Sequence, residues 1–314
     1  MRSERGDNQS AGRVLITGSG GLVGRSLLPL LKENGFEVVR LVRNNNQPSL
    51  PGVFTWNLKE QFIDPAALQG VTHIVHLAGS NIAEGRWTEK RKREIVKSRV
   101  DSARLLYDTA VRENIPLRCF VSASGTGYYG TETGERIFIE EDPPGSDFLA
   151  RTCVKWEESA GLFRNSGIRS VMLRTAVVIS GSGGFLKRVT PLLKFRTILW
   201  FGKGEQHFPW IHIDDLCNIY LKALVDDKIE GPYNAVAPGS VTQREFMRCM
   251  ARVKGKPAFR AGIPSYLVKL AFGEMSSLLL TGSRVSASAI EAAGYSFSYP
   301  SCEDALKQVL SSHR

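Results

Sequence analysis

The chain has 314 residues and a net charge of +10, with 41 Lys and Arg against 31 Asp and Glu; at roughly 100–200 residues per domain this length holds one large domain or two moderate ones. Hydrophobic residues at 42% and charged residues at 23% exclude a disordered or fibrous chain, and no apolar stretch approaches the ~20 residues that span a bilayer. The basic balance favours an anionic partner, and a phosphate-rich cofactor meets that description as well as a nucleic acid does.

Residues 1–12 are polar and read as a disordered lead-in without the apolar core of a secretory signal. The cysteines, Cys119, Cys153, Cys217, Cys249 and Cys302, are odd in number and lack paired spacing. That argues against a disulfide framework or a zinc knot and suits a reducing cytosol, so a soluble cytoplasmic protein is expected. From Arg13 the pattern changes. Residues 14–17 form a short buried-type strand, followed by glycines, a helical run over 26–33 and the stop Asn34-Gly35. Strands follow at 37–42, 74–78, 119–122 and 170–174, with helices over 89–111 and 149–163 between them. Strands alternating with long helical segments imply βαβ units, a parallel sheet and a doubly wound α/β fold.

After Arg174 the rhythm loosens. Residues 210–213 are strand-like, Asp214 or Asp215 can N-cap the helix running to Val225, and 233–236 read as the last sheet strand. Beyond Thr242 short helices are punctuated by Pro257, Pro264, Gly273, Gly282, Gly294 and Pro300. The expected organisation is a Rossmann-type nucleotide-binding domain over 13–180, its sheet completed by about 208–237, with a smaller, mainly helical C-terminal substrate lobe formed by 181–207 and 238–314.

Thr17-Gly18-Ser19-Gly20-Gly21-Leu22-Val23-Gly24 lies between the first strand and the first helix. Glycines at 18, 21 and 24 suit a tight turn, close approach of a pyrophosphate and close helix–strand contact, and the helix N-terminus offers free N–H groups to the anion. The second strand should end at the adenosine ribose. A carboxylate there would accept from a 2′-OH and favour NAD; this strand ends in Arg43, with Arg40 before it, which matches a 2′-phosphate and favours NADP(H).

With these residues in place the sequence resembles an extended short-chain dehydrogenase/reductase. More narrowly it resembles the "epimerase family protein" group, an NAD-dependent epimerase/dehydratase-like domain with a small C-terminal domain of unknown function. The segments that carry the likeness are Leu77-Ala78-Gly79 followed by Arg86-Trp87-Thr88-Glu89, Gly127-Tyr128-Tyr129-Gly130, Trp156-Glu157 and residues 210–216, with a matching tail from about Gly262. The resemblance implies NADP held by Gly18, Ser19, Gly20, Gly21, Leu22 and Val23, by Val42 and Arg43, and by Leu77, Ala78 and Gly79. It also implies that Glu94, Arg99 and Val178 line the nicotinamide half, Arg99 standing where extended members usually carry Asn.

Standard members transfer hydride with a Ser or Thr and a Tyr-x-x-x-Lys pair on one helical face, the Lys lowering the Tyr pKa. The corresponding helix here has no Tyr, and aligning Glu157 with the family's trailing Glu puts Leu149 at the Tyr position and Cys153 at the Lys position. Lys155 falls one step away. Substitutes are Tyr129 or Tyr128 as proton donor with Ser124, or Ser122, holding a carbonyl oxygen. Cys153 reads as a small buried hydrophobe rather than a nucleophile. His207 and His212 do not make a metal pair; His212 reads as a core histidine, His207 with Trp210 as a wall of the substrate pocket. The basic run from Arg86 to Glu94 is interleaved with acids and reads as a solvated helix rather than a nucleic-acid interface. The expected function is NADP(H)-dependent oxidoreductase or epimerase chemistry on a carbonyl or hydroxyl substrate; the alternative is a catalytically silent NADP-binding sensor or scaffold. A small molecule and a second copy of the chain are the partners expected, and neither nucleic acid nor membrane is.

Overall fold

The computed structural model describes residues 11–43, 50–131, 134–194, 197–255 and 259–311. The lead-in expected at the N-terminus lies outside the described residues up to residue 10, and Gly12 already belongs to the first strand. In chain order the elements begin with β1 (Gly12–Thr17), α1 (Leu22–Glu33), β2 (Phe36–Val42), β3 (Val53–Asn57), β4 (Phe62–Ile63) and β5 (His73–His76). They continue with α2 (Glu89–Arg112), β6 (Cys119–Gly125), β7 (Ile137–Phe138), α3 (Phe148–Asn165), β8 (Arg169–Thr175), β9 (Val177–Ile179), α4 (Gly184–Lys194) and β10 (Thr197–Phe201). Next come β11 (Trp210–His212), α5 (Ile213–Val225), β12 (Gly231–Ala235), α6 (Gln243–Val253), β13 (Phe259–Ile263) and α7 (Ser265–Phe272). The chain closes with α8 (Ser277–Leu280), β14 (Arg284–Val285), α9 (Ser288–Ala292) and α10 (Cys302–Ser311).

Eight strands form one sheet in the order β12-β8-β6-β5-β1-β2-β3-β4. Every pairing is parallel except that of β3 with the short β4. Parallel strands are covered on both faces and so read as continuous apolar runs. Val14, Leu15 and Ile16 of β1 are all fully buried. Alternate residues go to opposite faces: Val14 and Ile16 join Leu27 and Leu31 of α1 and Ile219 and Tyr220 of α5, while Leu15 joins Ala103 and Leu106 of α2 and Phe163 of α3. The sheet is the doubly wound Rossmann type expected from the sequence. From β1 the chain builds outward through β2 and β3, then returns to the other side through β5, β6, β8 and β12. The crevice above the β1/β5 boundary is therefore the switch point at which such sheets bind ligands.

The smaller lobe is carried mainly by helices, with three short parallel pairs, β9–β11, β10–β13 and β7–β14. Its core gathers Ile179, Leu186, Phe208, Trp210, Phe246, Met250, Leu306 and Val309. Asp214 and Asp215 do not cap α5. The cap is His212, whose Nδ1 accepts from the Asp214 N–H at 3.2 Å. Asp215 is fully buried and accepts from the Tyr295 hydroxyl at 2.8 Å and from the Ser298 and Tyr299 N–H groups at 2.8 and 3.0 Å. No helix among the described residues is long and apolar enough to cross a membrane.

Candidate functional site

The glycine loop owes its shape to two of its glycines. Gly18 has φ +69°, and a Cβ there would stand 2.7 Å from the Leu77 carbonyl carbon; a Cβ on Gly24 would stand 2.6 Å from Ser19 Cα. Gly20 and Gly21 differ. A Cβ on Gly20 would meet nothing within 4 Å, and one on Gly21 only the Gly18 oxygen at 3.2 Å. Gly20 faces open space; at Gly21 the Gly18 oxygen is the one close neighbour. Gly21 is the N-cap of α1 without a side-chain cap, and the first turn of the helix carries no acid. Its leading N–H groups are free for an anion.

Across the crevice Thr17 joins the two central strands: its Oγ1 accepts from the Ala78 N–H at 3.2 Å and bonds His76 Nδ1 at 2.8 Å. The loop after β5 is held by Ser98 of α2, whose Oγ accepts from the Ser80 N–H at 2.9 Å. Between these walls lies a cleft of about 410 Å³ lined by Gly18, Ser19, Gly20, Gly21, Leu41, Val42, Arg43, Trp56, Leu58, Leu77, Ala78, Gly79, Ser80 and Ser98. It brings together nine of the residues the sequence proposes. It adds Leu41, Ser80, Ser98, Trp56 and Leu58; the last two lie in and just after β3, whose five residues carry no clean alternation to read.

The remaining proposed contacts lie outside that lining. Leu22 and Val23 pack against the core from the first turn of α1, and Val178 does so from β9. Leu22 also meets the turn after β9, its methyl carbons about 3 Å from where Cβ atoms on Gly183 and Gly184 would stand. Glu94 pairs with Arg91 at 2.8 Å on the half-exposed side of α2. Arg99 is buried. Its guanidinium donates to the carbonyls of Ile95 and Ser80 at 2.9 and 3.1 Å, lies 4.9 Å from the centre of the Trp156 ring and backs onto Gly79. Burial lowers its pKa to about 10.

The groups considered for proton transfer form a buried network behind the strand ends. Arg174 of β8 clamps Glu157 of α3 with two hydrogen bonds of 2.9 Å. Ser124 Oγ donates to the same carboxylate at 2.7 Å. The Tyr129 hydroxyl donates to Asn234 at 2.7 Å and accepts from Arg174 at 3.0 Å, while the Tyr128 ring lies 3.4 Å beneath the Arg174 guanidinium. Tyr129 is 2% exposed, and burial pushes its phenol up to about 12 despite the cation beside it. This geometry argues against Tyr129 and Ser124 as the acid and its helper: both hydroxyls are already committed to internal partners, away from solvent. Glu140 belongs to the same network, accepting from the Asn234 N–H at 2.7 Å, with burial raising its pKa.

Nothing polar replaces them on α3. Leu149 packs beside Gly127, and Cys153 donates to the Gly125 carbonyl at 3.6 Å with its thiol pushed up to about 12 by burial. Lys155 points to solvent on the other side of the helix. Leu149 joins Ile82, Trp87, Phe148, Phe272, Met275 and Leu278 in an apolar cluster that ties α2 and α3 to the C-terminal lobe. The pocket-wall expectation for Trp210 is corrected: it is fully buried and donates to the Gly239 carbonyl at 3.0 Å. His207 is half-buried, in a β-bridge with Thr242 and against Gly282. His212 is a core residue as expected, bonded to Gln308 of α10 at 3.0 Å. Part of the basic run is tied down locally: Lys92 pairs with Glu89 at 2.7 Å and with Glu274 at 2.9 Å, while Arg86 donates to the Leu270 and Ala271 carbonyls at the end of α7.

A glycine loop facing the switch-point crevice, with an arginine where the next strand could have carried an acid, is the NAD(P)-binding variant of the Rossmann fold. Within that class the chain belongs to the NAD-dependent epimerase/dehydratase family, whose model matches residues 14–235; residues 263–309 match a domain of unknown function, DUF1731. Epimerase family protein Mb2239 of Mycobacterium bovis is 35% identical over 294 residues, spanning 93% of this chain and 96% of the relative. Epimerase family protein SDR39U1 of Homo sapiens is 35% identical over 306 residues, spanning 95% and 99%. The crystal structure of human SDR39U1 (isoform 2) with NADPH superposes with a TM-score of 0.85 at 32% identity, covering 95% of this chain and 99% of that one. A nucleoside-diphosphate sugar epimerase from Corynebacterium glutamicum gives 0.77 at 33% identity, covering 97% of this chain and 59% of that chain.

Proposed function

We propose that this chain binds NADP(H) in the crevice above β1 and β5 and that its reaction class is hydride exchange with a carbonyl or hydroxyl compound. The observation that carries the reading is the cleft itself. Gly20 leaves a cradle that a Cβ would fill, the uncapped start of α1 would receive an anion there, and Arg43 stands on the lining where a 2′-phosphate would lie. These residues fit the cofactor. Gly18 to Gly21 would hold the pyrophosphate, Arg43 the 2′-phosphate, and Leu41, Trp56 and Leu58 the apolar adenosine side, with Leu77, Ala78 and Gly79 along the remainder. The bound cofactor supplies a hydride donor or acceptor. The human relative crystallised with NADPH supports the same choice of cofactor.

A second reading, a cofactor-binding sensor or scaffold without turnover, is favoured by the commitment of Ser124 and Tyr129 to the Arg174–Glu157 network and by the apolar residues at Leu149 and Cys153. The readings separate in one experiment. NADPH deuterated at the transferable position is incubated with the protein and a panel of aldehydes, ketones and quinones, and products are examined by mass spectrometry. Deuterium in any product above the protein-free control supports the oxidoreductase. NADPH binding by calorimetry with no transfer across the panel supports the sensor, and absence of NADPH binding overturns both.

A further inference from the structure

α6 and α10 pack together in the core of the C-terminal lobe, with Phe246, Met247, Met250, Leu306 and Val309 in the shared cluster. Each helix brings one cysteine to that contact, Cys302 from the first turn of α10 inside the cluster and Cys249 from the middle of α6 packed against it, near enough that each thiol perturbs the other. Their exposure is unequal: Cys249 is half-buried, and Cys302 is 8% exposed. Cys119, Cys153 and Cys217 are buried, with thiols pushed up to about 12 by burial. At Cys249 the direction reverses. The influence of the neighbouring Cys302 thiol, aided by the Arg252 and Lys307 cations, outweighs burial and the Glu303 charge and holds this thiol below its ordinary value. Thiolate character together with access is what makes a cysteine react.

We propose that Cys249 and Cys302 form a redox-responsive dithiol, a modification site at which a small-molecule disulfide closes a covalent bond between α6 and α10. The Cys249 thiolate attacks one sulfur of the incoming disulfide, whose S–S bond breaks and releases one thiolate. Cys302 loses its proton to solvent and attacks Cys249 Sγ in the mixed disulfide, expelling the second thiolate. The two cysteines lose two electrons and two protons, and the small disulfide is reduced to two thiols. Two thiols in one side-chain cluster, on helices that already pack together, need little helix movement to reach the ~2 Å of an S–S bond. The consequence lies in what α10 holds: Gln308 bonds His212 at 3.0 Å, the Leu310 carbonyl accepts from Lys254 at the end of α6 at 2.8 Å, and the helix rests on β9, which carries Val178. A bond at Cys249 fixes this last helix, and what it holds, to α6.

The test uses the full chain and oxidised glutathione. After incubation, free thiols are alkylated and the protein is digested with trypsin without reductant. The expected result is a linked pair of peptides, 249–252 with 285–307, in a chain lighter than the reduced form by the mass of two hydrogens. The unfolding temperature of that form is several degrees higher, since the crosslink restricts the unfolded chain. Cys302→Ser should stop at glutathione retained on Cys249, and Cys249→Ser, altered at a half-buried position, should give neither product while keeping a native circular dichroism spectrum. Alkylation of both cysteines after oxidation, glutathione retained on Cys249 of the unaltered chain, or a disulfide between any other pair overturns the proposal. The cofactor reading is untouched by any of these outcomes, because the dithiol lies outside the cleft.

Discussion

A Cβ placed on Gly18 would press on the Leu77 carbonyl, while one on Gly20 would enter empty space, so substitutions two residues apart in the same loop should fail for different reasons. Gly18→Ala forces an L side chain into a left-handed conformation against backbone, which should cost about 2 kcal/mol or more of stability. Gly20→Val should leave the urea unfolding midpoint near that of the unaltered chain yet abolish NADPH binding, because its methyls occupy the cradle. Calorimetry and urea titration of both variants check this; a Gly20→Val protein that binds NADPH normally would mean the loop faces something else. Arg43 belongs to the same scale. A charge-assisted hydrogen bond to a 2′-phosphate contributes roughly 1.5–3 kcal/mol, so NADPH should bind ten- to a hundredfold more tightly than NADH. Arg43→Ala should bring the two affinities together by weakening NADPH alone. Tyr129→Phe tests the reverse case. The phenol's partners, Asn234 and Arg174, are buried, so its loss should appear as about 1–3 kcal/mol of stability, with NADPH affinity and any hydride transfer unchanged.

At the scale of elements, β6, α3 and β8 are joined by one buried ion pair. The Arg174 and Glu157 side chains are 3% and 10% exposed, and removing one member strands a charge in the interior. Glu157→Gln should therefore lower stability by about 3–5 kcal/mol, and Glu157→Met combined with Arg174→Met should recover much of that loss by burying apolar surface instead. Equal unfolding midpoints for Glu157→Gln and the unaltered chain would show that the pair is dispensable. The same elements show how far the sequence could be read. The central strands and α2 and α3 were legible because buried parallel strands are apolar throughout and long helices repeat their pattern over many turns. β3 and β4 were not: five residues without alternation and a two-residue partner strand are too short to carry a pattern, and with them Trp56 and Leu58 of the cleft stayed hidden. The absence of a phenol on α3 could be read from composition alone. The commitment of Tyr129 and Ser124 could not, because Asn234 lies 105 residues from Tyr129 and Glu157 lies 33 from Ser124, and no spacing rule links them. The motif at 210–216 was visible as a pattern, yet its work, His212 capping α5 and Asp215 anchoring residues 295–299, needed the fold to be seen.

For the molecule as a whole, the joint between the two central strands predicts how stability responds to acid. His76 is fully buried between Thr17 of β1 and Ser102 of α2, with Thr17 Oγ1 at 2.8 Å from Nδ1 and Ser102 Oγ at 3.0 Å from Nε2. Burial, aided by the Arg99 cation and opposed by its hydrogen bond to the Arg99 backbone, lowers its pKa from 6.5 to about 4. The unfolded chain takes up a proton at this residue as pH falls through 6.5, and the folded chain does so only near 4. Between those values the unfolded state binds more protons, so stability is fully present above about pH 6.5 and declines as the solution is acidified towards 4. At pH 5 the loss from this residue alone is about 2 kcal/mol, at 1.36 kcal/mol per pH unit. His73, on the same strand and also lowered to about 4 by burial, adds in the same direction; Glu140, raised by burial, opposes it near the acid end. Urea midpoints measured from pH 4.5 to 7.5 should fall steadily below about pH 6.5 and flatten above it. His76→Gln, neutral at every pH, should start from a lower stability at pH 7.5 and lose less on acidification. A flat profile in the unaltered chain, or one as steep in His76→Gln, would place the acid-sensitive group elsewhere than at the β1–β5 joint.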